Sequence, residues 1–432
     1  MKFHYSEYAQ NDLQLREQLR YLTEFPFKSY ALTKIHGEST ILLMGYKQIL
    51  LFLNMRYLIF FATLLCLTIS CKEKVEAPEI ATNKKANNGL AYAEGFTIEV
   101  FPTHKVLHVS NPWPGSEKTF KYALVKNKKN FATQYSYDAI IEVPVKNMVV
   151  TSTTHIPSLE MLGMETTLVG FPNLDYISSE KTRALISEEK IKELGKNEDL
   201  NTEVLLTLEP DVVVGFAVDG NNTTFNTLRQ MRIPVMYNGD WTETHPLGKA
   251  EWIKFFGALY GKEKEADSIF KSIETTYNEV KHKVASAKTR PTVLSGAMYR
   301  DVWYLPQGNS WAAQFIDDAN AEYLWEDSEG TGSLSLSIEA VLTKGQNADV
   351  WIGPGQFTSL EQMKEMHAAY AGFDAFKNQK VYSFTTKKGA TGGVLYYELA
   401  PNRPDIVLKD IIKILHPEVL PEHELYFFSP LE

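Results

Sequence analysis

Apolar and polar positions along this chain follow two alternating rhythms from about residue 95 onward. Short apolar runs mark strands: FTIEVF (96–101), KYALV (121–125), AIIEVPV (139–145), MVVTST (148–153), TLVGF (167–171), DVVVGF (211–216) and PVMYN (234–238). Between them come stretches with apolar residues three and four apart, the spacing of a helix with one buried face. These are HIPSLEMLG (155–163), LNTEVLLTL (200–208), TTFNTLRQM (223–231) and GKAEWIKFFGALYG (248–261). The alternation resumes later. TVLSGAMY (292–299), DVWIG (349–353) and KVYSF (380–384) read as strands. SWAAQFIDDA (310–319), IEAVLTK (338–344), SLEQMKEM (359–366) and RPDIVLKDIIKILH (403–416) read as helices. Near-continuous apolar strands alternating with helices predict parallel sheets covered on both faces, an α/β architecture.

The stretch at 262–288, KEKEADSIFKSIETTYNEVKHKVASAK, separates the two series. It has no Pro or Gly, and Ala266, Ile269, Phe270, Ile273, Tyr277, Val280 and Val284 recur at helical spacing. That predicts one helix of roughly 40 Å with a single buried stripe. The flanking stretches TEVLLTLEPDVVVGF (202–216) and IEAVLTKGQNADVWIG (338–353) resemble each other: each has Glu at the start of a short helix, then Asp opening a buried strand that leads to Gly. The pattern predicts two similar lobes, 95–261 and 289–417, bridged by one helix at 262–288, with 418–432 as a C-terminal tail. Ligands of such sheets bind outside the carboxyl ends of the strands, so two facing sheets enclose a cleft.

The N-terminus has a different character. From Met55 the chain reads MRYLIFFATLLCLTISC: one Arg, an apolar run, then a small residue before Cys71. This is the pattern of an export signal over 55–70. Its Ser-Cys ending resembles the lipobox of bacterial lipoproteins, in which the signal is cut before the cysteine and lipid is attached to it, although Thr68 stands where Leu is commonest. The expected lipidation site is therefore Cys71. Residues 1–54 are expected to be a spurious or unstructured extension ahead of a start at Met55, and the polar stretch 71–94 a flexible tether.

Composition narrows the chemistry. The net charge of −9 argues against a nucleic-acid partner. The only two cysteines, Cys66 and Cys71, fall in the N-terminal apolar stretch, so the body has no disulfide or thiolate site. His104 and His108 are the closest histidines, but on an extended strand they stand roughly 13 Å apart, too far to share a metal. The stretch GNSWA (308–312) lacks the second glycine of a nucleophile elbow, and no phosphate-binding loop occurs. No catalytic residue, metal site or cofactor is expected. What stands out is aromatic residues at strand ends and in the loops beyond them: Phe171, Phe216, Tyr237, Trp241, Trp303, Tyr304, Trp311 and Trp325. Some of these pack the core. Others would give flat walls for a large rigid ligand, with Asn238, Asp240, Arg300 and Asp301 as polar contacts.

Over 149–417 the chain resembles the substrate-binding proteins of ABC importers for iron chelates and cobalamin. The resemblance rests on PDVVVGF, RIPVMYNGDW, NADVWIG and RPDIVLKDIIKILHP, in order around the central helix. It implies two Rossmann-like lobes bridged by one long helix, with the ligand held between them. It also implies a lipid-anchored carrier at the periplasmic face of a bacterial membrane, delivering a ferric siderophore, haem or cobalamin to a permease dimer. By resemblance, Glu203 and Glu339 match the two glutamates that meet arginines on the permease. Phe171, Phe216 and Trp303–Tyr304 fall near aromatic ligand contacts of cobalamin binders, whereas two further tryptophans of that group fall near Asn197 and Ser333 here. Tyr299 and Arg300 could serve an anionic siderophore. The competing readings are a two-lobed periplasmic enzyme, for which the sequence offers no convergent acid, base or metal group, and a surface carrier without a permease.

Overall fold

Runs of valine and isoleucine buried on both faces set the centre of each lobe. In the computed structural model, which describes residues 89–197 and 199–432, four strands come first: β1 (Phe96–Val100), β2 (His104–Ser110), β3 (Thr119–Val125) and β4 (Ala139–Glu142). The first three pair antiparallel and β4 joins β3 in parallel. The lobe proper follows, with β5 (Met148–Val150), α1 (Ile156–Met161), β6 (Leu168–Phe171), α2 (Glu180–Ser187) and β7 (Lys192–Glu193). After the small hairpin β8 (Gly195–Lys196) and β9 (Asp199–Leu200) come α3 (Thr202–Thr207), β10 (Val212–Gly215), α4 (Thr223–Gln230) and β11 (Val235–Tyr237). The sheet order is β11-β10-β5-β6-β7, all parallel. The expected helix at 248–261 is two helices, α5 (Pro246–Glu251) and α6 (Ile253–Tyr260), divided at Trp252. The signal segment 55–70, Cys71 and residues 1–54 lie outside the described residues. Among the described residues no helix is long and apolar enough to cross a membrane.

The bridge is α7 (Glu263–Val284), which buries Ala266, Phe270, Ile273, Tyr277, Val280 and Val284. The second lobe begins with β12 (Thr292–Ser295), β13 (Ala297–Tyr299) and β14 (Val302–Pro306). The sequence predicts one strand over 292–299, but the chain breaks at Gly296, where φ is +77°. A Cβ there would stand 1.9 Å from the Tyr304 carbonyl oxygen, so only glycine permits the backbone to leave one sheet and enter another. Then come α8 (Trp311–Asp318), β15 (Glu322–Tyr323), β16 (Ser333–Leu336), α9 (Ile338–Gly345), β17 (Val350–Ile352), α10 (Leu360–Met366), α11 (Asp374–Lys377), β18 (Val381–Ser383), α12 (Leu395–Leu399), α13 (Pro404–Leu415) and β19 (Ser429–Pro430). The second sheet runs β15-β12-β17-β18-β19, parallel except for β19, and β13-β14-β16 form a separate antiparallel sheet.

The buried stripe of α7 serves both lobes. On one side it packs on α6, where Gly257 has no room for a Cβ beside Ala266. On the other it packs on α13. Tyr277 donates to the buried Asp318 carboxylate at 2.5 Å, and Lys281 pairs with the same group at 2.5 Å. Burial and the Asp318 charge push the Tyr277 hydroxyl well above its ordinary pKa, so it stays protonated and donating.

Buried carboxylates also hold segments that lack regular structure. Ala91, Tyr92 and Ala93, expected in the tether, donate their backbone N–H groups to Glu251, and Glu94 and Gly95 donate to Glu243. The C-terminal tail is likewise ordered, with the N–H groups of Tyr426, Phe427 and Phe428 on Asp410. The stretch between β18 and α13 reaches across to the first lobe. Glu398 accepts from the N–H groups of Ser178 (2.7 Å) and Ser179 (2.9 Å), and Thr391 Oγ1 donates to the Asp175 carbonyl at 2.7 Å. Asn402 accepts from Ser158 Oγ at 2.8 Å and donates to the Thr154 carbonyl at 2.7 Å. Gly389 and Gly393 are needed there, since a Cβ would meet Ser178 and Tyr176 backbone atoms at 2.6 Å.

Two outcomes follow for stability. Replacing Asp318 by Ala strands the Tyr277 hydroxyl in the core and is expected to cost about 3 kcal/mol, read as a lowered urea midpoint at constant slope. Burial, opposed by its two N–H bonds and aided by Glu160, raises the Glu398 carboxyl to about 7. A raised acid pKa stabilises the fold fully below the ordinary value near 4.5, and the contribution is lost as pH rises through about 7. The fold should therefore weaken between pH 5 and 8 by up to about 3 kcal/mol from this group. Thermal unfolding of Glu398→Gln should show that part of the pH slope removed.

Candidate functional site

The loops at the carboxyl ends of the first sheet and the stretch beyond β18 meet between the lobes, through Glu398 on Ser178 and Ser179 and Asn402 on Thr154. Phe216, just past β10, and Trp241, past β11, are half-buried. So are Tyr299 and Tyr304 in the antiparallel sheet of the second lobe. Arg300 and Asp301 form the exposed turn joining β13 to β14, with Arg300 at φ +55° and its guanidinium 5.4 Å from the Tyr299 ring centroid. Two of the expected wall residues are in the core instead. Phe171 is 2% exposed within the first-lobe core. Trp303 is 0% exposed, stacks on Trp351 at 5.2 Å and donates its indole N–H to the Ser295 carbonyl. Its neighbour Tyr304 projects to the other face of the strand, as the two-residue period requires.

Three further partly exposed aromatics were not singled out in the sequence. Tyr176, after β6, is 40% exposed, and Tyr397 on α12 is 49% exposed. Phe384, at the end of β18, stacks on Tyr396 at 4.2 Å and meets Tyr397 edge-on at 5.7 Å. They lie in or beside irregular segments, where periodicity carries no signal.

Lys249 on α5 organises the first-lobe side. Its ammonium donates to the carbonyls of Asp240 (3.0 Å) and Trp241 (2.9 Å) and stands 5.3 Å from the ring centroid of Trp311 in the second lobe. Burial lowers its pKa to about 8, opposed by Asp240 and Glu243. Asp240 accepts from Thr154 Oγ1 at 2.8 Å, and its own N–H donates to Asn238 Oδ1 at 2.8 Å.

Glu203 and Glu339 stand in the first turns of α3 and α9, both exposed. Asn201 caps α3 through the Val204 N–H, and Ser337 caps α9 through the Ala340 N–H. Each helix leads into an interior strand of its sheet, β10 or β17. The Glu339 carboxyl is held below its ordinary range by its own backbone N–H and the Ser337 hydroxyl.

Among the described residues no group of three His, Cys, Asp or Glu side chains could hold a metal ion. His104 bonds Tyr137 at 3.0 Å, whereas His108 pairs with Glu99 at 3.2 Å. The expected aromatics are thus divided between partly exposed positions (Phe216, Trp241, Tyr299 and Tyr304) and the core (Phe171 and Trp303).

The chain is 25% identical over 385 residues to an uncharacterized lipoprotein of Methanocaldococcus jannaschii, covering 84% of this chain and 90% of that protein. Its fold is similar to that of a possible iron-binding periplasmic solute-binding protein from Staphylococcus epidermidis, with TM-score 0.50 and 16% identity over 63% of this chain and 99% of that one. It is also similar to Helicobacter pylori CeuE in its Ni-His complex, with TM-score 0.50 and 18% identity over 73% and 90%. A periplasmic haem-binding protein from Pseudomonas aeruginosa matches at TM-score 0.50 and 14% identity over 67% and 98%. The sequence profile described as Periplasmic binding protein matches residues 148–387, which include the bridge and most of both sheets, and the chain belongs to that family.

Proposed function

We propose that this protein is a lipid-anchored substrate-binding protein that captures a metal chelate between its lobes and delivers it to an ABC permease. The observation that carries the reading is the matched pair Glu203 and Glu339. Each is an exposed carboxylate in the first turn of a capped helix that leads into an interior strand of its own lobe. The helix dipole alone accounts for one such residue. The repeat in both lobes suits a two-fold symmetric partner with a cation at each position, where charge pairing fixes register and speeds encounter. Phe216, Trp241, Tyr299 and Tyr304 supply flat apolar surface for a rigid ligand, and Arg300 a cation at its rim. The metal compounds named for the Helicobacter and Pseudomonas neighbours support a metal chelate as cargo. Cys71 and the lipoprotein named among the relatives support the anchor, and the Periplasmic binding protein family supports a place at the periplasmic face of a bacterial membrane.

Isothermal titration of residues 89–432 with haem, cyanocobalamin and ferric siderophores tests the cargo. Micromolar or tighter binding of at least one is expected, and binding of none would overturn the reading. Glu203→Ala combined with Glu339→Ala should leave ligand affinity unchanged and weaken permease engagement about tenfold, equivalent to about 1.4 kcal/mol. The measurement is chelate uptake by cells carrying the cognate permease, and uptake equal to that of the native protein would rule out docking through these residues.

A further inference from the structure

The sheet β1–β4 lies ahead of residues 148–387, the part that matches the family. One of its ends is packed on the first lobe and the other is bare. At the packed end, Trp113 meets Tyr237 at 5.3 Å, and a Cβ on Gly239 would stand 3.2 Å from Pro112 Cα. The opposite end lies six residues along β3, roughly 20 Å away. It carries the end of β1, the β1–β2 turn and the loop 126–138 that joins β3 to β4.

That loop is basic and pinned in place. Lys126, Lys128 and Lys129 are exposed, and no acidic residue occurs from 126 to 137. Among the described residues none of the three ammonium groups has an ion-pair partner. The carboxylates that flank the loop, Asp138 and Glu142, face backbone N–H groups, those of Lys121 at 2.7 Å and Lys128 at 2.9 Å. His104 holds the loop against the β1–β2 turn. Its ring stacks on Phe101 at 4.7 Å and meets Phe131 at 4.9 Å, and Nε2 bonds the Tyr137 hydroxyl at 3.0 Å. Two large apolar side chains are left in solvent at this end, Tyr135 at 65% exposure and Val100 at 58%.

These residue types fit an anionic bilayer surface. Lysines are drawn to anionic headgroups, and tyrosine settles at headgroup level. A chain of net charge −9 is repelled by such a surface as a whole, so only a local basic face can hold it there. In the transport reading the lipid is on Cys71, eighteen residues ahead of Gly89. A flexible chain of that length spans about 24 Å. That keeps the body near enough for a weak contact to be occupied. One lipid group combined with a polybasic face anchors more firmly than either alone.

We propose, resting on the lipid anchor of the reading above, that Lys126, Lys128, Lys129 and Tyr135 form a second membrane contact that lays this end of the body on an anionic phospholipid surface. The turn 111–118 and the carboxyl ends of the first sheet then point away from the bilayer, toward incoming ligand. The body has to let go to meet a permease in the same membrane, and a contact made by exposed lysines is weak enough to allow it.

Cosedimentation of residues 89–432 with vesicles tests the contact without the anchor. These residues belong to one compact unit and contain no cysteine. Binding to vesicles of equal parts phosphatidylglycerol and phosphatidylcholine is expected at low ionic strength. It should be at least about tenfold tighter than to phosphatidylcholine alone and lost at about 1 M salt. Lys126→Gln, Lys128→Gln and Lys129→Gln together should weaken it about a hundredfold, from roughly fivefold per lysine, with the thermal midpoint unchanged. The same change at Lys364, Lys377 and Lys380 of the second lobe should leave it as it is. A polarity-sensitive dye on Tyr135→Cys should shift to the blue on the vesicles. One on Met366→Cys of α10, a position 67% exposed, should not. No binding to the anionic vesicles, or binding that survives the loop substitutions, would overturn the contact. Binding to soluble polyglutamate but not to vesicles would make the partner an acidic protein and overturn it as well. Chelate binding without vesicle binding removes this contact and leaves the transport reading, whereas vesicle binding without chelate binding keeps the contact and removes the cargo.

Discussion

A single stripe of apolar side chains on α7 has to be covered by two lobes at once. Phe270, Ile273, Tyr277 and Val280 are buried because α6 lies on one side and α13 on the other. Neither lobe can move far from the helix without returning part of that stripe to water, at about 25 cal/mol per Å². The charged join reinforces this, since Asp318 needs both Tyr277 and Lys281 to be tolerated at zero exposure. Hinge motion is therefore confined to small tilts.

A second constraint, absent from the simplest picture of two lobes on one helix, is the crossing segment that ends in Asn402. It places Glu398 over the Ser178 and Ser179 N–H groups, ahead of α2. A carboxylate at such a position satisfies donors that the helix itself leaves open. The chain uses the same device repeatedly: Glu251, Glu243 and Asp410 each gather consecutive backbone N–H groups from a segment without regular structure. Much of the acidic surplus is thus structural.

Much of the fold was legible because burial on both faces leaves a strong mark. The parallel strands around Val213 and Trp351, and the stripe on α7, follow directly from apolar spacing. Gly296 was legible only as a glycine, and its role as the exit from one sheet depends on Tyr304 passing within contact distance. The candidate site was less readable. Phe171 and Trp303 have the composition of a ligand wall, yet their strand faces point into the core, because apolarity does not distinguish a core from a cleft. Asn238 and Asp240 were picked out as polar contacts. The crossing segment was missed because GATGG and LYYELAPN carry no period.

The antiparallel strand β19 has a consequence for the order in which this chain can fold. It closes the edge of the second sheet by pairing Ser429 and Pro430 with β18, while Asp410 draws in residues 426–428. The first lobe has all of its strands by Tyr237 and its covering helices by Tyr260. A chain that emerges from its N-terminal end can thus assemble one lobe early, while the other waits for Ser429 and Pro430 far beyond Tyr260. Until then the bridging helix presents half of its stripe bare, and the emerging chain is most exposed to proteases and aggregation during that interval.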